Sequence, residues 1–221
     1  MAHSTIEAAK QRSRARKLEL LTRYLLPLAS ETLLDVGASN KSYAPSDNYL
    51  EQHYPWPSRI TALGLPPMDE FRARYPDVTV VEGDGRRMPF DPDQFDLVHS
   101  NAVVEHVGGP EDQRRFVSEC VRVGRRGMLT TPNRWFPIEL HTRLPFVHYL
   151  DYRAFDWCAR LVGKPWAQHS RGYITFVSPR ALRVWALESG AQDATVLGLG
   201  AVIPVQWLLF WAKDGALRGR H

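Results

Sequence analysis

The chain has 221 residues, 44% hydrophobic and 24% charged, with 15 Gly and 16 Pro, a composition that excludes disordered, collagen-like and coiled-coil proteins. At this length one domain can bury a full core without metal or disulfide staples. Lysine and arginine number 28 against 24 acids, a net charge of +4, too mild and too dispersed for a nucleic-acid footprint, which needs a dense basic stripe with stacking aromatics.

From 6 to 26, Leu18, Leu21 and Leu25 recur at helical spacing among Lys10, Arg12, Arg14, Arg16 and Lys17, and Pro27 follows where a helix stops. The prediction is an amphipathic leading helix with its basic residues on a solvated face. The first thirty residues hold no signal-peptide core, and the longest apolar stretch, 201–212, is too short to span a bilayer. The two cysteines, Cys120 and Cys158, lie in apolar segments without metal-ligand spacing. Neither a disulfide framework nor a structural metal is expected, and a reducing cytoplasm fits.

Short apolar runs follow at 32–36, 59–63, 78–82, 95–100 and 127–131, each bounded by Gly, Pro, Asp or Asn. Continuous apolar runs of this length suit strands buried on both faces of a parallel sheet. Between the last two, Pro110, Glu111 and Asp112 open a helix whose inward stripe is Phe116, Val117, Cys120 and Val121. The alternation predicts an α/β class with a doubly wound, mostly parallel sheet.

Beyond 131 the pattern breaks into a loop with Pro132, Pro137 and Pro145 and the aromatics Trp135, Phe136, Phe146 and Tyr149. A helix is expected from the cap Asp151 to Leu161. Another starts at the Ser178 cap with Pro179 and ends at Gly190, burying Leu182, Trp185 and Ala186. Segments 195–199 and 205–212 suit a hairpin closing the sheet edge, and 213–221 reads as a basic tail. No repeat or low-complexity linker divides the chain. One domain over 1–221 is expected: a leading helix (1–30), a core (31–131), a lid region (132–180) and a closing helix with hairpin (181–212).

In an open parallel sheet, ligands sit beyond the carboxyl ends of the strands. Those ends read Leu34-Asp35-Val36-Gly37-Ala38-Ser39-Asn40, then Glu82-Gly83-Asp84-Gly85-Arg86-Arg87-Met88-Pro89-Phe90 followed by Phe95-Asp96-Leu97-Val98, then Ser100-Asn101-Ala102-Val103-Val104-Glu105-His106-Val107. This series, over 33–133, resembles the class I S-adenosylmethionine-dependent methyltransferases, most closely the bacterial branch of the ubiquinone/menaquinone enzymes. The resemblance implies a Rossmann-like seven-stranded sheet with an antiparallel last strand and S-adenosylmethionine as cofactor.

The resemblance puts Asp35, Gly37, Ala38 and Ser39 at the amino-acid end of the cofactor and Gly64 after the second strand. Asp84 then meets the adenine amino group, Gly85 and Arg86 flank it, and Ser100, Asn101 and Ala102 lie beneath the methionine portion. A glycine at 37 lets the backbone approach a ligand without a Cβ between them, and a carboxylate at 84 suits an exocyclic amine because it only accepts. As a plain alternative, Gly83-Asp84-Gly85 is a surface turn. His106 is a candidate general base or, with Glu105, an architectural tie. On the acceptor side the candidates are Glu139 and His141, joined by His148, Tyr149, His169 and Tyr173; packing residues with one satisfied polar tip are the alternative for each. Tyr43 is a candidate for a loop that closes over the cofactor.

Two departures stand out. The turn continues Ala38-Ser39-Asn40 where the family carries further glycines, and Leu63-Gly64-Leu65 lacks the acid expected to hold the ribose hydroxyls, with Asp69 and Glu70 several residues away. The expected reaction is methyl transfer to a small-molecule or lipid-like acceptor, without nucleic acid. The aromatic run 202–211 admits peripheral contact with a membrane, although core packing explains it too. The rival is a non-catalytic binding or partner protein that keeps the fold and has lost or altered cofactor use. A nicotinamide-dependent oxidoreductase is disfavoured because GxGxxG is absent after the first strand.

Overall fold

A computed structural model of the chain describes residues 2–42, 44–137, 145–146, 152–161, 163, 175–200, 202–215 and 217. The leading segment forms helix α1, Ala2–Leu25. Strand β1, Leu33–Val36, helix α2, Tyr49–His53, strand β2, Ile60–Gly64, helix α3, Asp69–Arg74, and strand β3, Thr79–Glu82, follow in turn. Strand β4 is Phe95–Asn101, helix α4 Pro110–Val123 and strand β5 Gly124–Pro132; then come α5, Tyr152–Leu161, α6, Pro179–Glu188, β6, Asp193–Leu199, and β7, Gln206–Ala212.

The strands form one seven-stranded sheet in the order β3-β2-β1-β4-β5-β7-β6. Strands β1 to β5 pair in parallel, and β7 runs antiparallel to both β5 and β6. This is the α/β Rossmann-like arrangement expected, with the last strand of the chain antiparallel. That strand is inserted between β5 and β6, so β6 forms the edge. The strand order reverses between β1 and β4, and a crevice opens beyond the carboxyl ends of these two strands.

Alternation along each strand divides the core. Leu34, Val36, Val98, Leu129 and Trp211 face α4 and α6, where Phe116, Val117, Cys120, Leu182 and Ala186 are buried. Leu33, Leu97, Met128, Leu208 and Phe210 face the other way, onto Leu21 and Leu25 of α1, Leu50 of α2 and Phe71 of α3. Fully burying a side chain of this kind contributes about 1.5–3 kcal/mol. The helix signals hold where local chemistry sets them: Pro110 sits in the first turn of α4, the Ser178 hydroxyl accepts from Ala181 N at 3.1 Å, and Gly190 (φ +104°) follows the end of α6.

Two expectations are corrected. The basic residues of α1 do not all face solvent: Lys10, Arg12 and Arg16 do, but Lys17 is only 4% exposed and Arg14 is half-buried. Strand β5 begins at Gly124, directly after α4, three residues before the apolar run starts. Arg125 and Arg126 hide this start, yet Arg126 belongs to the sheet: it donates to Leu25 O at 2.9 Å and pairs with Glu31 at 2.6 Å, tying the end of α1 to β5. The expected cap Asp151 lies outside the described residues, as do Tyr43, Glu139, His141, His148, Tyr149, His169 and Tyr173.

Candidate functional site

The turns after β1, β2, β3 and β4 converge on a cleft of about 460 Å³, within the range of small-molecule sites. Its walls include Gly37, Ala38 and Ser39 from the first turn, Gly64 and Leu65 from the second, Asp84, Gly85 and Arg86 from the third, and Ala102, Val103 and His106 from the fourth. The first turn is fixed by the sheet: Gly37 N and Ala38 N both donate to Leu63 O, at 2.8 and 3.1 Å. Gly37 has φ +97°, and a Cβ there would lie 2.2 Å from Val103 Cγ2, inside the cleft wall. Ala102 is also left-handed (φ +57°), a sparsely populated backbone state of the kind found at ligand clamps. Its amide donates to Thr130 O at 3.1 Å.

Asp84 serves its own turn as well as the cleft. Its carboxylate accepts from Arg86 N at 2.8 Å and from the Arg86 guanidinium at 2.6–3.1 Å, so the Arg86 side chain holds this acid below the usual carboxylate range. Arg86 reaches on to Val107 O at 3.1 Å and Asp112 at 3.5 Å, joining the third turn to the fourth. The position after β2 is apolar: Leu65 is exposed on the cleft wall. Among the described residues Asp84 is the acid lining this cleft. Glu82 instead accepts from Met68 N at 3.1 Å and Arg72 at 3.0 Å, while Asp69 pairs with Arg72 at 3.4 Å.

Asp35, Ser100 and Asn101 do not line this cleft. Ser100 is fully buried and donates to Val36 O at 2.9 Å, locking β4 to β1. Asn101 Oδ1 accepts from Lys17 Nζ at 2.7 Å and Thr130 Oγ1 at 3.1 Å. Asp35 points to the α1 side of the sheet, where its register partner His99 bonds it through Nδ1. Burial pushes His99 down to about 3, so the ring is neutral and Nδ1–H donates. His106 is exposed on the cleft wall with Nε2 4.0 Å from the buried Glu105. Glu105 accepts from Thr131 Oγ1 at 3.1 Å, which ties the fourth turn to β5.

Asp35 belongs to a second cavity of about 250 Å³ between α1, α2 and the ends of β1 and β4, which shares Val36, Gly37 and Ser39 with the first. Glu51 of α2 and Arg14 of α1 also wall it. Burial raises both the Asp35 and the Glu51 carboxyls, and for Glu51 the neighbouring Asp35 charge adds to the rise. Among the described residues neither Glu51 oxygen has a hydrogen-bond partner. Glu51, His99, Arg14 and Lys17 were missed as site residues in the sequence. The available signal was a histidine inside the apolar run 95–100, at the level of Asp35 in the neighbouring strand.

Burial, then the charge of Arg14, lowers Lys17 to about 7 from 10.5. Between these values the folded chain binds fewer protons than the unfolded one, so this group makes stability rise with pH from 7 to 10.5; below pH 7 its burial cost is present in full. Lys17→Met removes the term. In urea denaturation the variant's stability relative to the unmodified chain should be greatest below pH 7 and fall by about 3 kcal/mol on going from pH 6 to 9.5. A difference that stays constant with pH would place the ammonium in contact with water.

Residues 34–129 match the family described as "Methyltransferase domain". A stretch of 66 residues is 42% identical to the "Probable S-adenosylmethionine-dependent methyltransferase" of Mycolicibacterium smegmatis, covering 28% of this chain and 24% of that protein. The match thus spans about a quarter of the relative's length. Among solved structures, the PH0226 protein from Pyrococcus horikoshii OT3 has a TM-score of 0.57 at 14% identity, covering 91% of this chain and 90% of that one. Phosphoethanolamine N-methyltransferase 2 of Haemonchus contortus, in complex with phosphomonomethylethanolamine and S-adenosylhomocysteine, has a TM-score of 0.55 at 17% identity, covering 84% and 38%. At these identities the structural likeness is one of fold.

In sequence this chain is thus similar, over part of its length, to S-adenosylmethionine-dependent methyltransferases. The likeness in sequence lies in residues 34–129, and the likeness in fold lies in the seven-stranded, Rossmann-like sheet.

Proposed function

We propose that the whole chain works as a methyltransferase of one domain, transferring a methyl group from S-adenosylmethionine to a small-molecule or lipid-like acceptor. The observation that carries this reading is the convergence of four strand-end turns on one cleft, with Asp84 as the acid on its wall among the described residues. The residues fit a nucleoside. Gly37 and Gly85 let their turns pack tightly behind the cleft, since a Cβ would lie 2.2 Å from Val103 and 2.5 Å from Phe116 respectively.

In this reading Asp84 and Gly85 face the adenine, Gly64 and Leu65 face the ribose, and Gly37, Ala38 and Ser39 face the amino-acid end. Ser100 and Asn101 support the floor from behind, with Arg86 as an outer wall. The bound cofactor supplies a methyl group already activated by the positive sulfur. The chain's own contribution is alignment and exclusion of water. With Leu65 where a carboxylate was expected, ribose is held by apolar contact and backbone. Each absent charge-assisted bond forgoes about 1.5–3 kcal/mol.

The candidate base His106 lies on the cleft wall, and the candidates Glu139 and His141 fall outside the described residues. The cysteine usage suits a cytoplasmic protein, and exposed Trp135, Phe146 and Val202 suit an apolar acceptor or a membrane surface. The sequence branch of the ubiquinone/menaquinone enzymes remains our reading of the motifs.

Saturating S-adenosylhomocysteine, at a hundred times its Kd, should stabilise the protein by about 2.7 kcal/mol, a melting rise of about 5–10 °C for a chain of this size. Asp84→Ala should shrink the rise. An unchanged melting temperature with native circular dichroism would favour the non-catalytic reading, which the apolar Leu65 and the Arg86-bound Asp84 support.

A further inference from the structure

We propose that the rim formed where β5 ends and the β6–β7 hairpin turns is a docking surface for an anionic lipid bilayer, with Trp135, Phe146, Val202 and Ile203 seated in the headgroup layer. The docking stands on this surface alone. Its consequence, that a lipid-like acceptor reaches the cleft from the bilayer, rests on the cofactor reading above.

Buried Asn133 builds the rim. Its amide donates to Val205 O at 3.0 Å and its Nδ2 to Pro204 O at 2.8 Å, while its Oδ1 accepts from Trp135 N at 3.0 Å. The segment after β5 is thereby stapled to the hairpin turn. Val205 N closes that turn on Leu199 O at 2.7 Å, with Val202 94% and Ile203 44% exposed at its tip. Trp135 is 67% exposed, and Phe146, whose amide donates to Pro137 O at 2.7 Å, is exposed as well. Large apolar side chains scattered singly over a surface are ordinary, but a cluster of them in water marks an interaction site. Because β4 and β5 run parallel, the rim lies at the end of the sheet where the cleft opens.

Charge selects the partner. Segments 133–137, 145–146 and 199–206 contain no acid, and their charged residue is Arg134, exposed and with its guanidinium carbon 5.7 Å from the Trp135 ring centroid. An indole beside a guanidinium suits the headgroup layer, where amphipathic rings settle and cations meet anionic lipid. The next helix, α5, repeats the pattern. Arg153, Trp157, Arg160 and Leu161 are exposed at spacings that put them on one face, against one acid, Asp156, in the helix sequence. Basic and apolar residues together on an exposed helix face are the mark of an interfacial helix.

The test is sedimentation of the full chain with vesicles of equal parts phosphatidylglycerol and phosphatidylcholine, and with vesicles of phosphatidylcholine alone. The chain should bind the mixed vesicles more tightly, with a blue shift of tryptophan emission, and less tightly as salt is raised. Trp135→Ser combined with Val202→Asp should weaken this binding about tenfold or more. Arg134→Gln should weaken it about fivefold on the mixed vesicles and leave phosphatidylcholine binding unchanged. The melting shift with S-adenosylhomocysteine should be the same in these variants, because none of the three side chains lines the cleft.

No binding to the mixed vesicles, or equal binding to both kinds, would overturn the proposal. Binding that survives the double variant would overturn it too, and its loss in a Lys10→Gln, Arg12→Gln, Arg16→Gln variant would then give the docking to the exposed face of α1. If the double variant turns a dimer into a monomer without vesicles, the rim is a contact between copies and the proposal falls. A chain that binds vesicles through this rim but whose melting ignores S-adenosylhomocysteine would keep the docking and lose the cofactor reading.

Discussion

Gly37→Ala should destabilise the protein by about 2–5 kcal/mol and abolish measurable binding of S-adenosylhomocysteine. The left-handed backbone at this position, φ +97°, costs a residue with a Cβ about 1–2 kcal/mol. The added atom would also lie 2.2 Å from Val103 Cγ2 and 3.1 Å from Cγ1, and overpacking of this kind costs about 1–3 kcal/mol. Relief requires Val103 to move or the turn to open. Either change reaches the cleft, because Val103 lines it and the turn is pinned by the two bonds to Leu63 O. Urea denaturation reads the first effect and calorimetry the second. A variant within 1 kcal/mol of the parent that still binds would mean that the turn does not need its glycine.

Phe116→Ala should cost about 3–5 kcal/mol, the range for emptying a fully buried aromatic site. Phe116 is 0% exposed in the core between α4 and the sheet. It also closes the back of the cleft: a Cβ on Gly85 would lie 2.5 Å from Phe116 Cε2. Removing the ring therefore leaves a void beneath the third turn as well as in the core. Ligand affinity should fall with stability, and Phe116→Leu should recover most of both because it restores much of the volume. Should Phe116→Ala lose stability while binding stays intact, the ring would support the core alone.

The cleft was largely legible before folding was considered. Gly37, Gly64, Asp84, Gly85, Arg86, Ala102 and His106 all belong to turns that follow apolar runs, and in a parallel sheet such turns gather at one end. The second cavity was not legible. Arg14, Asp35, Glu51 and His99 come from four elements, and nothing in the local composition around Glu51 marks it as buried. Lys17 was misread for the same reason: helical periodicity gives the direction a residue points, but the depth of cover depends on what packs over it. The strand β5 likewise starts earlier than its apolar run because Arg126 is satisfied by Leu25 O and Glu31, partners about a hundred positions away.

The sequence by itself determined the order of strands and helices, the mostly parallel sheet and the turns that build the cleft. All of these follow from short-range periodicity and from residues that stop or cap an element. Only the tertiary structure decided that β7 lies inside the sheet and β6 at its edge, that Asp84 is engaged by Arg86, and that the buried carboxyls of Asp35 and Glu51 wall one cavity beside the cleft. Those outcomes depend on side chains brought together from distant segments, where burial and mutual charge set their chemistry.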